Sequence, residues 1–144
     1  MTITLSGEPK STQHIYKAAC RGGFVSYYMS AEGKAIKQGY QLEARSQWRS
    51  APLKDELKVT VRFFFGTRRK ADLDNFNKLW ADSLTGIVYE DDSQISELHL
   101  YRDYEKARPR IEVKTLRTNC ENCGLGAATL AMRSCVSTST ERGP

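Results

Sequence analysis

Leu57-Lys58-Val59-Thr60-Val61-Arg62-Phe63-Phe64-Phe65 is the stretch on which the fold turns. Leu57, Val59, Val61, Phe63 and Phe65 alternate with Lys58, Thr60, Arg62 and Phe64, the period of two that sends successive side chains of a strand to opposite faces. One face of a sheet is therefore apolar and needs cover. Phe64 shares the other face with Lys58 and Arg62, where a partner subunit or a satellite contact of the core would shield it.

Cover for the apolar face comes from both sides in the sequence. Downstream, Phe76, Trp80 and Leu84 recur at i, i+4 and i+8 with Leu79 and Ser83 beside them, which predicts a helix from near Asp74 to a stop at Gly86. Upstream, Ser30 is a good N-cap for a helix over Ala31–Trp48, whose Lys34, Lys37 and Arg45, with Arg49, give it a basic outer face. Met1–Ser6 reads as a short strand and Gly7–Thr12, with Pro9, as a loop. Ile15–Ala19 and Phe24–Met29 flank Cys20-Arg21-Gly22-Gly23 as a strand pair around a glycine turn. Two more strands are expected near Gln94–Arg102 and Arg110–Thr115. Four to six strands and two helices make an α+β domain, small and single, with a mixed or antiparallel sheet packed against two helices.

The chain has 144 residues, 40% of them hydrophobic, which suits one core and one domain. Aromatic residues stop at Tyr104, and beyond Lys114 the composition shifts to Thr, Ser, Asn, Gly, Ala and Cys. The folded unit is placed at 1–115 and a flexible C-terminal tail at 116–144, with at most a short helix at Ala127–Arg133. No stretch approaches the roughly 18 apolar residues of a membrane span, and Met1–Leu5 lacks the apolar core of a signal peptide. A soluble intracellular protein with reduced thiols is expected. Cys120-Glu121-Asn122-Cys123 is a CxxC with Cys135 beyond it and Cys20 far upstream; without a second CxxC, zinc is the weaker reading.

The formal net charge of +5 is unevenly spread. Residues 1–71 hold 13 basic and 5 acidic side chains, a net +8, whereas Asp72 to Glu97 hold seven carboxylates against Lys78 alone, a net −6. A basic surface attracts polyanions such as nucleic acid, and an acidic cluster within it repels them unless a cation is bound there. Asp72-Leu73-Asp74-Asn75-Phe76-Asn77-Lys78 and the later Asp91-Asp92 are the centre of that cluster. In an extended lead-in to the helix Asp72 and Asp74 point to one side, and Lys78 lies a helical turn beyond Asp74. If the following strand lies beside the preceding one, Asp91-Asp92 returns toward them.

Two carboxylates about 5 Å apart repel by roughly 3 kcal/mol at an effective dielectric of ~20, so such a convergence needs protonation or a cation. Hard oxygen donors suit Mg²⁺ or Mn²⁺, and no Cys or His lies within the stretch to favour zinc. A metal so held serves phosphodiester displacement, with Lys78 neutralising the phosphate or the leaving oxygen. The same residues also suit plain helix chemistry: Asp74 as an N-cap, acidic side chains at a helix N-terminus, and an Asp74–Lys78 pair one turn apart.

The run Arg69-Lys70-Ala71-Asp72-Leu73-Asp74-Asn75-Phe76-Asn77-Lys78, then Asp82-Ser83-Leu84-Thr85-Gly86 and Glu90-Asp91-Asp92-Ser93-Gln94-Ile95, closely resembles the RusA family of Holliday-junction resolvases. Gly7-Glu8-Pro9-Lys10 and Ser30-Ala31-Glu32-Gly33 extend the likeness, which covers about residues 3–115. The resemblance implies a small α+β domain that forms a symmetric homodimer and cuts four-way DNA junctions with Mg²⁺, Mn²⁺ substituting. No small-molecule cofactor and no membrane partner are implied. Carried over by motif, Asp72, Asp74 and Asp92 are the metal ligands and Lys78 a catalytic or phosphate-contacting residue, while Asp91 is ranked as structural. The protein would work in recombination and repair in the cytoplasm of a bacterium or a phage-infected host cell.

A two-fold dimer suits such a substrate, since productive resolution needs two nicks in strands related by two-fold symmetry. Lys10, Lys17, Arg21, Arg68, Arg69 and Lys70 are the candidate DNA-binding residues, each also readable as a plain solvated cation. His14 and His99 receive no role. Two alternatives stay open: a metal-dependent nuclease for other branched DNA or RNA, and a catalytically inactive junction-binding module.

Overall fold

In a computed structural model that describes residues 1–68 and 70–118, the chain runs β1 (Thr2–Ser6), α1 (Thr12–Ile15), β2 (Tyr16–Arg21), β3 (Phe24–Met29), α2 (Ala31–Gln47), β4 (Leu57–Phe65), α3 (Asn77–Leu84), β5 (Ile95–Tyr104) and β6 (Arg110–Arg117). Short 3₁₀ turns at Leu73–Phe76 and Asp92–Gln94 precede α3 and β5. Arg69 and the cysteine-containing tail, including Cys120, Cys123, Cys135 and the possible helix at 127–133, lie outside the described residues.

The alternating stretch forms the centre of a four-stranded sheet ordered β1-β6-β4-β5. β6 is antiparallel to both β1 and β4, whereas β5 runs parallel to β4, with Val59 opposite Leu98 and Phe65 opposite Tyr104. The sheet is thus mixed, and the α+β expectation matches the fold. The β4-to-β5 connection carries α3, because parallel neighbours need a crossover that a tight turn cannot supply. Leu57, Val59, Val61, Phe63 and Phe65 all face the buried side, where Trp80, Leu84 and Tyr89 cover them. Phe76 meets Phe65 edge-on with ring centroids 5.2 Å apart. On the opposite face the Arg110 guanidinium lies 3.7 Å from the centroid of Phe64, so a neighbouring side chain shields that ring.

α2 ties down the outer edge of β1. Glu43 Oε2 accepts from Ser6 N at 2.7 Å, and the Gln47 amide accepts from Thr4 N at 2.9 Å while donating to Thr4 O at 2.7 Å. Those bonds satisfy backbone groups that an open edge would expose. At the other end of α2, Ser30 caps the helix by accepting from Gly33 N at 3.2 Å and donates its own N–H to Ile15 O at 2.7 Å. Gly33 has no room for a side chain: a Cβ there would lie 2.8 Å from Met29 Cγ and 2.9 Å from Ile15 Cβ.

β2 and β3 form a separate two-stranded ribbon, closed by Gly22 and Gly23 at φ 58° and 82°. Two successive positive φ values are those of a type I′ hairpin turn, which only glycine, Asn or Asp adopt readily. β2 therefore runs two residues past the expected Ala19, and a single helical turn, α1, stands where loop and strand were expected to meet. The predicted helix near Asp74 is also divided. Asn75 N bonds to Asp72 O at 3.2 Å in the three-residue closure of a 3₁₀ turn, and the regular helix starts only at Asn77. It ends at Leu84, and Gly86, at φ 79°, turns its N–H to Tyr89 O at 2.7 Å. β6 continues to Arg117, two residues beyond the expected end.

Candidate functional site

Three side chains follow one another at intervals of four on the segment after β4: Asp74 in the 3₁₀ turn, then Lys78 and Asp82 on α3. That spacing puts them on one side of the helix. The chain then returns through Ile87-Val88-Tyr89, held to Leu53 by Leu53 N to Val88 O at 2.8 Å and Glu90 N to Leu53 O at 3.2 Å. Tyr89 is buried, and its hydroxyl donates to Ala81 O at 2.8 Å, locking the return against α3. Because β5 lies beside β4, the next residues come back to the same place. Asp74, Lys78, Asp82 and Asp92 line one groove of about 480 Å³, with Trp80 and Leu98 among its apolar walls.

Asp91 serves the loop's structure. It forms a capping box with Gln94 in which Asp91 N donates to Gln94 Oε1 at 2.8 Å, and Ser93 Oγ donates to its carboxylate at 2.6 Å. Gln94 Nε2 in turn donates to Leu53 O and Asp55 O, both at 2.9 Å. The Ser93 bond, with help from Asp92, holds the Asp91 carboxyl below the usual carboxylate range. Asp92, itself exposed, is displaced the other way: its hydrogen bond with Asp91, slight desolvation and the charges of Asp91 and Asp82 push its pKa up. Tyr16, the first residue of β2, donates its hydroxyl to Asp82 Oδ2 at 3.4 Å, while the Lys78 ammonium stands 5.3 Å from the centre of its ring. Burial, and then Asp82, raise the Tyr16 pKa.

Asp72 goes elsewhere. It borders a neighbouring groove of about 440 Å³ with Lys10, His14 and Lys70. Asp74 and Asp92 line the same groove, and Asp72 lines the other. Among the described residues no three Asp, Glu, His or Cys side chains stand at metal-ligating spacing. The donors around the groove are carboxylates with no histidine or cysteine, a chemistry that fits a hard divalent cation such as Mg²⁺.

The five candidate DNA-binding cations among the described residues are dispersed over three surfaces. Lys10 pairs with Glu32 at 3.4 Å and shares the Asp72 groove with Lys70. Arg68 stacks 5.1 Å over the Tyr104 ring, beside Lys70 and Arg102. Lys17 and Arg21 stand exposed on β2, and Arg69 lies outside the described residues. His14 Nδ1 shares a hydrogen bond with Ser11 Oγ at 2.7 Å, and His99 pairs with Glu97 at 3.4 Å, so neither faces the carboxylate groove. Asp82, which lines the groove, and Tyr16, which contacts Asp82 and Lys78, went unassigned in the sequence. The four-residue interval from Lys78 marked Asp82; nothing local marked Tyr16.

No described helix is long and apolar enough to cross a membrane. Comparison with protein families matches residues 6–115 to the family described as Endodeoxyribonuclease RusA. No curated protein matches the chain.

Proposed function

The chain belongs to the RusA endodeoxyribonuclease family, and from that premise we propose that it is a Mg²⁺-dependent endonuclease that resolves four-way DNA junctions in recombination and repair. The observation that carries this reading is the groove itself: within the matched span, Asp74, Asp92 and Lys78, three of the motif residues, line one cavity beside Asp82. Asp74 and Asp92 would hold the cation, Mn²⁺ being able to replace Mg²⁺, and Asp72, which borders the neighbouring groove, would have to turn toward them to join the set. The bound cation would supply charge stabilisation for in-line displacement at a phosphodiester and an acidified water.

The protein's own groups have distinct tasks. Lys78, standing over Tyr16, neutralises charge growing on the phosphate or the leaving oxygen. Asp82 is oriented by the Tyr16 hydroxyl. Asp91, fixed by Ser93 and Gln94, sets the loop that presents Asp92. Lys10 and Lys70 flank Asp72 and would position the DNA backbone through its phosphates. A homodimer supplies two such grooves for the two nicks of a junction.

The test is a substrate panel at fixed salt: a four-way junction, a flap, a fork, a duplex and a structured RNA, each with Mg²⁺ and with EDTA. Paired symmetric nicks confined to the junction, present with Mg²⁺ and absent with EDTA, are expected. Equal cutting of flaps or RNA would reassign the substrate. Tight binding without cleavage in Mg²⁺ or Mn²⁺ would make the protein a binding module.

A further inference from the structure

Beyond Tyr16 and Met29 at its base the β2–β3 ribbon has exposed side chains on both faces, Val25 and Tyr27 included, and one of the two faces carries both of its cations. Residues directly opposite in an antiparallel pair share a face, and the register sets Lys17 against Tyr28, Ala19 against Ser26 and Arg21 against Phe24. That face therefore carries two cation–aromatic pairs separated by a small-residue rung. Its side chains are turned to water: Phe24 is 82% exposed and Tyr28 50%, and Lys17 and Arg21 are exposed as well. Between Glu8 and Glu32 the sequence contains no acidic residue at all.

The ribbon is fixed at its base. Ser30 N bonds to Ile15 O at 2.7 Å, and Gly33 of α2 packs against Ile15 and Met29. The opposite face begins with Tyr16, which touches Asp82 and Lys78 of the carboxylate groove. Lys17 and Arg21, four residues apart on an extended strand, are separated by about 13 Å. A basic, aromatic surface thus starts one residue beyond Tyr16, on the other face from its contacts with Asp82 and Lys78, and runs outward to the Gly22-Gly23 turn.

We propose that this face is a platform for unpaired DNA bases, with Phe24 and Tyr28 stacking on the bases and Lys17 and Arg21 holding the flanking phosphates. The inference rests on the reading of DNA as substrate and deepens it by naming the part of DNA recognised. Exposed rings stack on any base whose π-face is open, and in continuous duplex each face is covered by its neighbour; a branch point is where faces open. A second copy of the chain is a poor occupant. Two-fold pairing of this face sets Lys17 and Arg21 against like charges, with no ribbon carboxylate to compensate.

The experiment measures binding of the full chain to a fluorescent oligothymidylate and to a blunt, fully paired duplex, alongside sedimentation and junction nicking. Phe24→Ala combined with Tyr28→Ala should weaken oligothymidylate binding by about 30-fold or more and leave duplex binding unchanged. Phe24→Trp with Tyr28 intact should retain it. Lys17→Gln and Arg21→Gln should weaken both ligands and each lower the slope of log affinity against log salt by about 0.7 for the single strand. Unchanged oligothymidylate affinity in the alanine variant overturns the proposal, and so does a fall in its sedimenting mass, which would show that the rings are covered by another copy. The two readings fail separately. Wild-type junction nicking with no effect of the ring variants removes only the platform, whereas ring-dependent binding without nicking removes only the resolvase.

Discussion

Asp91 and Asp92 are adjacent in sequence and opposite in behaviour. One carboxyl is held down by Ser93 and given to the backbone of its own loop; the other is pushed up by Asp91 and Asp82 and lines the groove. Their division of labour was legible as a motif, but the reason for it was not, because the capping box that occupies Asp91 depends on a 3₁₀ turn that an acidic, serine-containing run does not announce. Burial has a cleaner consequence at Tyr40. Its phenol is pushed up to about 12 by burial and then by the charge of Glu43. Below pH ~10 the folded and unfolded chains both hold this proton; between about 10 and 12 only the folded chain does, so folding stability falls as pH rises through that window. The contribution is about 1.4 kcal/mol per pH unit across it. Urea unfolding from pH 8 to 11.5 should show a steeper loss in the wild type than in Tyr40→Phe.

At the scale of elements, β4 was readable because burial on one face leaves a period of two in the sequence, and the ribbon was readable from Gly22-Gly23. α3 was readable only as a whole. Phe76, Trp80 and Leu84 gave its buried stripe, yet the same stripe suits a continuous helix from Asp74, and the observed 3₁₀ entry rests on backbone closure at Asp72 and Asn75. That entry sets Asp72 apart from Asp74, which the assumption of an extended lead-in did not anticipate. The junction of α2 with the ribbon gives an element-level prediction. Gly33→Ala places a methyl group 2.9 Å from Ile15 Cβ, and should destabilise the protein by about 1–3 kcal/mol in urea unfolding. Gly39→Ala, in the same helix with nothing within 4 Å, should instead stabilise by up to about 1 kcal/mol. Equal effects of the two would contradict the packing described for Gly33.

For the molecule as a whole, the crossover between parallel neighbours β4 and β5 is what converts a linear charge pattern into a site. The net −6 between Asp72 and Glu97 is a segment in sequence, and the return of Asp92 beside Asp74, Lys78 and Asp82 gathers three of its seven carboxylates and its one lysine into one groove. Strand order was beyond the sequence, since strand neighbours are chosen by packing of the completed core. The basic cradle expected around that groove is instead divided among the Asp72 groove, the Arg68–Tyr104 stack and the ribbon. On the proposed function, the motif aspartates serve the cutting of DNA and are not needed to hold it. The most direct measurement is Mg²⁺-dependent nicking of a four-way junction by Asp72→Asn, Asp74→Asn and Asp92→Asn, with junction affinity measured on the same preparations. Each variant should lose nicking by about a hundredfold or more, with binding preserved. Nicking at the wild-type rate in all three variants would remove the aspartates from the chemistry.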